Sequence, residues 1–168
     1  MPTFYCSRLI VPLLAIPFVW FGPRAVAQPW MGDRSGKNFG EGSDIRILTD
    51  GEGTWIAVWH SNEQTVDGLG PDYDIRTSRS VDNGVSWSPA APLNNNAATD
   101  VGDDRIPDLA FDGHGTWYAV WHSNDSLGGL LGNDFDILIA RSFDGGTSWT
   151  DPAPLNPNAT SDEYDDYR

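Results

Sequence analysis

The octapeptides SVDNGVSW (residues 80–87) and SFDGGTSW (142–149) share the pattern Ser-x-Asp-x-Gly-x-Ser-Trp and lie 62 residues apart. Each residue type suits a tight turn. Asp82 and Asp144 can accept hydrogen bonds from the amides of their own turn, and Gly84 and Gly146 supply a positive φ where a side chain would clash. Ser80, Ser86, Ser142 and Ser148 offer hydroxyls that close the loop. Trp87 and Trp149 cover the hairpin with a large apolar plate. The stretch predicts a hairpin turn, made twice.

Self-similarity extends outward from these turns. GTWIAVWHSN begins at Gly53 and GTWYAVWHSN at Gly115, again 62 residues apart. Residues 50–97 match 112–159 at 28 of 48 positions without a gap. A third copy is starting as the sequence ends, because ATSDEYDDYR (159–168) echoes AATDVGDDR (97–105). A fixed period of this kind is the signature of stacked supersecondary units.

The second copy shows what one unit contains. Ile106 to Phe111 is a short apolar run closed by Asp112-Gly113. Thr116 to His122 alternates, with Trp117, Ala119 and Trp121 on one side and Tyr118 and Val120 on the other. Phe135 to Ala140 reads as a third strand suited to burial on both faces. The turn at Asp144 then leads past Trp149 to a short fourth strand expected before Pro152. Four antiparallel strands per repeat make a propeller blade.

Composition agrees with many turns and short strands, since 168 residues include 18 Gly and 12 Pro. A net charge of −14 excludes nucleic acid, whose binding needs a basic surface to displace counterions. Anionic membrane surfaces are excluded on the same grounds. The carboxylates read as a solvated surface, with Ca²⁺ held by oxygen ligands of the Asp-rich loops as the alternative. No other cofactor is expected. With three His in the chain and no Cys left after leader removal, zinc is not expected either. Neither a phosphate loop nor a nucleophile elbow is present.

Residues 1–27 read as a signal peptide. Arg8 precedes an apolar run of 13 residues from Leu9 to Phe21, and Ala25-Val26-Ala27 is a small-x-small cleavage signal. The run is too short to span a bilayer. Cleavage after Ala27 removes Cys6, the only cysteine, so the mature protein is expected outside the cytoplasm, secreted or periplasmic, without disulfides. Residues 28–43, Gly-rich and polar, read as a linker.

The octapeptide resembles the Asp box, or BNR repeat, of sialidases (neuraminidases) and other six-bladed propellers, over roughly residues 44–168. That resemblance implies an all-β propeller of four-stranded antiparallel blades, with full blades at about 44–105 and 106–167 and the start of a third. Six blades at this period need about 370 residues, so the sequence reads as a fragment or truncated product of a longer propeller. The activity implied is that of an exo-glycosidase releasing terminal sialic acid from glycans. Such enzymes hold the substrate carboxylate with three arginines and use an Asp acid/base with a Tyr–Glu nucleophile. By position, Arg105 in Arg105-Ile106-Pro107 matches the first clamp arginine and Asp125 the acid. A planar guanidinium suits that role because it takes a carboxylate bidentately.

The repeat itself offers a plainer assignment. Catalytic residues of a propeller come unequally from different blades, whereas Arg105 is echoed by Arg168, one residue beyond the 62-residue register, and Asp125 is matched by Glu63. Recurring residues read as architecture, and His60 and His122, ending the same strand in both copies, read as packed or capping side chains. The pairs Asp72/Asp74 and Asp134/Asp136 each present both carboxylates to one face, as edge-protecting charge or a cation site. Trp30, Trp55, Trp59, Trp117 and Trp121 read as core between blades or as sugar-stacking platforms. The functional alternatives are therefore the glycosidase, a non-catalytic propeller binding glycans or proteins outside the cell, and a purely structural array.

Overall fold

The structure, a computed structural model, describes residues 42–64, 68–161 and 163–166. The signal peptide, Trp30 and most of the linker lie outside the described residues, as does Arg168. The first sheet has strands β1 (Gly42–Thr49), β2 (Trp55–Ser61), β3 (Asp74–Ser80) and β4 (Ala91–Pro92) in that order. The second repeats it with β5 (Asp104–Phe111), β6 (Trp117–Ser123), β7 (Asp136–Ser142) and β8 (Ala153–Pro154). Neighbouring strands are antiparallel throughout. The sequence period thus becomes a structural one: Trp55 pairs with Ser80 as Trp117 pairs with Ser142. Both sheets are open, and no ring is closed among the described residues.

Two strands differ from expectation. β7 is not buried on both faces: Asp136, Leu138 and Ala140 are buried while Arg141 is exposed, because the far side of this sheet has no neighbour among the described residues. The fourth strand follows Pro152 rather than preceding it, since the chain must first travel back from the hairpin before Ala153 can pair with Ile139.

Packing between the sheets explains the core. In β2 the face buried at the seam carries Ile56, Val58 and His60, whereas in β6 it carries Trp117, Ala119 and Trp121, which belong to the opposite face of the repeat. The two faces meet. One continuous cluster joins Ile56, Val58, Ile75 and Leu93 of the first sheet to Trp117, Ala119, Trp121, Leu138 and Ala140 of the second. Trp55 and Trp59, which correspond to the buried Trp117 and Trp121, are only half-buried, because no second sheet packs on their face among the described residues.

The seam also fixes its glycines. A Cβ on Gly146 would lie 2.4 Å from Ile56 Cδ1, and its φ of +80° disfavours any side chain. Both first strands carry a register shift, between Ser43 and Arg46 and between Arg105 and Asp108. Ile106 sits in the second shift at φ +51°, a strained setting for a β-branched residue. Its amide donates to His60 Nδ1 at 3.3 Å, which ties the bulge of one sheet to the end of β2 in the other.

Candidate functional site

The octapeptide turns are closed by their own side chains. Asp144 Oδ1 accepts from the amides of Thr147 (3.0 Å) and Ser148 (2.9 Å), and its Oδ2 accepts from Ser148 Oγ at 2.6 Å. Ser142 Oγ donates to Asp144 Oδ1 at 2.8 Å and accepts from Gly146 N at 2.8 Å. The first turn repeats this, with Ser86 N and Ser86 Oγ donating to Asp82 at 2.8 and 2.6 Å, Ser80 Oγ donating to Asp82 Oδ1 at 2.7 Å, and Gly84 N donating to Ser80 Oγ at 2.9 Å. These donors, Ser86 and Ser148 above all, hold both carboxyls down at about 2. Trp87 Nε1 donates to Gly84 O at 3.1 Å; both turn tryptophans are half-buried. Arg141, Phe143 and Trp149 line a shallow pocket of about 200 Å³ beside the second turn. The carboxylate at its rim, Asp144, is the one already spent on the turn.

Arg105 and Asp125 come to the same end of the second sheet, because β5 and β6 pair Arg105 with His122 and Asp104 with Ser123. Each is already engaged. Arg105 Nη2 donates to Asp103 Oδ2 at 2.8 Å, and its guanidinium stacks 4.3 Å from the centre of the Tyr73 ring. Asp125 is 8% exposed; its Oδ2 accepts from Asn96 Nδ2 at 2.6 Å and its Oδ1 from Leu127 N at 3.2 Å. Gly102 passes so close that a Cβ there would lie 2.4 Å from Asp125 Cα. Asp125 therefore faces the connector between the sheets. His60 is a packed seam residue, buried, with Tyr73 edge-on at 5.2 Å and burial lowering its pKa.

The connector carries a second constellation that sequence reading did not assemble. Asp103 Oδ1 accepts from Tyr73 N at 3.1 Å, and Asn94 Nδ2 donates to Asp104 Oδ2 at 2.9 Å and to Asp100 Oδ2 at 3.4 Å. The next junction repeats the latch: Phe135 N donates to Asp165 Oδ1 at 3.0 Å and Asn156 Nδ2 to Asp166 Oδ2 at 2.6 Å. Within the first junction, carboxylate oxygens of Asp72, Asp74 and Asp100 all lie within 4.8 Å of one another.

These are not edge-protecting charges. β3 lies between β2 and β4, and Asp74, paired with Ser61, is 1% exposed. Burial, then the neighbouring Asp72, pushes Asp74 up to about 7, and Arg76 pulls it back only in part. Burial raises Asp100 to about 8, with Asp74, Asp125 and Asp72 adding to it. Burial likewise holds Asp104 well above the usual carboxylate range. The sequence signal lay in the recurrence of Asp100 as Asp162 within the copied AATD and ATSD segments, though nothing there placed it beside Asp72 and Asp74.

No protein-family model matches the chain, and no curated protein matches it in sequence. Solved structures match its fold. The chain is similar to the Hadza microbial sialidase Hz136 at 18% identity and a TM-score of 0.53, over 68% of this chain and 26% of that one. It is similar to the α-L-arabinofuranosidase PaAbf62A from Podospora anserina, in complex with cellotriose, at 15% identity and a TM-score of 0.48, over 76% of this chain and 36% of that one. It is also similar to a GH62 hydrolase in complex with xylotriose, at 16% identity and a TM-score of 0.48, over 76% of this chain and 34% of that one. The chain thus spans between 26% and 36% of the length of these structures. The likeness to the sialidase is one of fold: blades of a β-propeller.

Proposed function

We propose that this chain supplies blades to an exported, sialidase-like glycoside-hydrolase propeller that releases terminal sialic acid from glycans. One observation carries the reading. Two Asp-box turns, each closed by its Asp and Ser side chains, stand at identical register in a fold that superposes on sialidase Hz136. In this reading the blades are scaffold for a catalytic set completed elsewhere in the ring. Residues 1–27 are, in this reading, a signal peptide cleaved after Ala27, and the exported product takes glycans as its ligands.

A second reading is favoured by the state of Arg105 and Asp125. Both are held by neighbours of their own chain, as expected of a propeller that binds glycans or proteins without cutting them. Hydrolysis of a fluorogenic sialic acid conjugate by the natural product of the gene separates the two. Release of sialic acid, with retained anomeric configuration, supports the first. Saturable binding of sialylated glycans with no turnover supports the second, and neither signal would sink both.

A further inference from the structure

We propose that Asp72, Asp74 and Asp100 form a calcium site that clamps the seam between the two sheets. Two oxygens on opposite sides of a Ca²⁺ ion are about 4.6–5.2 Å apart, given metal–oxygen distances of about 2.3–2.6 Å. Three carboxylate oxygens within 4.8 Å of one another lie at most about 2.8 Å from a common point, so small side-chain adjustments bring all three to calcium–oxygen distance.

The burial of unpaired oxygens points to the same conclusion. Asp74 is 1% exposed, and neither of its carboxylate oxygens has a hydrogen-bond partner. Such a carboxylate deep in a fold needs a cation or a proton. Buried oxygens of Asp72 (Oδ2) and Asp100 (Oδ1) meet no donor group either, and the two carboxyls lie within hydrogen-bonding reach of each other, an arrangement that needs a proton or a cation between them. Oδ1 of Asn94, a residue 1% exposed whose amide nitrogen is 3.4 Å from Asp100, also lacks a partner. Carboxylate and amide oxygens are the hard donors that calcium takes, in sets of about six to eight including water. Arg76 is the cation that acts on Asp74 from the strand itself, and its Nη2 is directed to Ala90 O at 3.4 Å.

The position gives the site a purpose. Asp72 and Asp74 belong to the first repeat, while Asp100 lies on the connector that leads to β5 and is neighboured by Asp125 of the second. An ion bound to all three would fasten the connector to β3 and relieve the repulsion among the carboxylates packed there.

The test is calcium binding by the full chain after stripping with EDTA, read by titration calorimetry and by thermal unfolding. Calcium at about 100 times its Kd is expected to raise Tm by roughly 5–10 °C. Asp74→Asn and Asp100→Asn should each abolish both the heat of binding and the shift, and Asp74→Asn should melt higher than the wild type in EDTA. Glu52→Gln, an exposed carboxylate on the β1–β2 turn, should leave the response intact. No heat and no shift in the wild type would overturn the proposal, leaving the cluster neutralised by protons. A calcium response that survives in both Asn variants would overturn it too, by locating the ion elsewhere. If one variant fails to fold, the other decides.

Discussion

At the scale of single residues, each Asp-box turn is held together by hydrogen bonds among its own side chains and amides. Ser142, Asp144, Gly146 and Ser148 interact within seven residues, so their pattern in the chain already contains the geometry. Asp144 makes this testable through pH. Its carboxyl titrates at about 2 when folded against 3.8 when free, so the ionised form is the one the fold favours. Its contribution is complete above the free value and is lost as pH falls from about 4 toward 2. Because the turn is solvent-exposed, Asp144→Asn should cost only roughly 1 kcal/mol at pH 7. Urea unfolding at pH 7 and near pH 2.5 should show the difference between wild type and variant closing; a cost unchanged at low pH would rule the account out. Asp74 is a contrast. Its neighbour Asp100 lies beyond the hairpin and fourth strand, and no local pattern announces a contact made through a connector. Gly102 was invisible for the same reason: only the fold brings the backbone of Asp125 against it.

At the scale of the strand, alternation identified the two faces of each repeat but not which face is buried in which copy. That choice is made by neighbours. The first sheet turns Ile56 and Val58 toward the seam, and the second turns Trp117 and Trp121 toward them. The corresponding residues therefore have unequal weight despite identical sequence context. Trp121 is 2% exposed, so Trp121→Ala should remove about 3–5 kcal/mol by opening a cavity at the seam. Trp59→Ala, on the half-buried open face, should cost less than half of that. Denaturant midpoints of the two variants check this, and equal losses would mean that both faces are covered in solution. The third strand was misread through the same cause. Its apolar run promised burial on both faces, and β7 has a partner sheet on one side only among the described residues.

At the scale of the whole molecule, the repeat announced the propeller, while the activity stays with groups that repeats do not identify. Sialic acid cleavage of the kind proposed needs an acid, a nucleophile and a carboxylate clamp converging on one sugar, and misplacement by about an ångström is costly. This chain brings Arg105 and Asp125 to one end of a single sheet, with Asp103 and Tyr73 holding the first and Asn96 the second. The other arginines among the described residues do not complete a clamp: Arg76 is buried in β3, Arg46 is 3.7 Å from Asp108, and Arg79 and Arg141, paired with Ile56 and Tyr118, lie at the opposite end of their sheets from Arg105. We therefore expect the 168-residue chain by itself to give no turnover of a fluorogenic sialic acid conjugate, even if a longer propeller containing it is active. The same preparation should be folded and cooperative in thermal unfolding, so that inactivity is not mistaken for loss of structure. Turnover above background that disappears in Asp125→Ala would refute the expectation. Asp125 would then have to leave Asn96 to reach substrate, and several copies of the chain would have to assemble the remaining groups around one sugar.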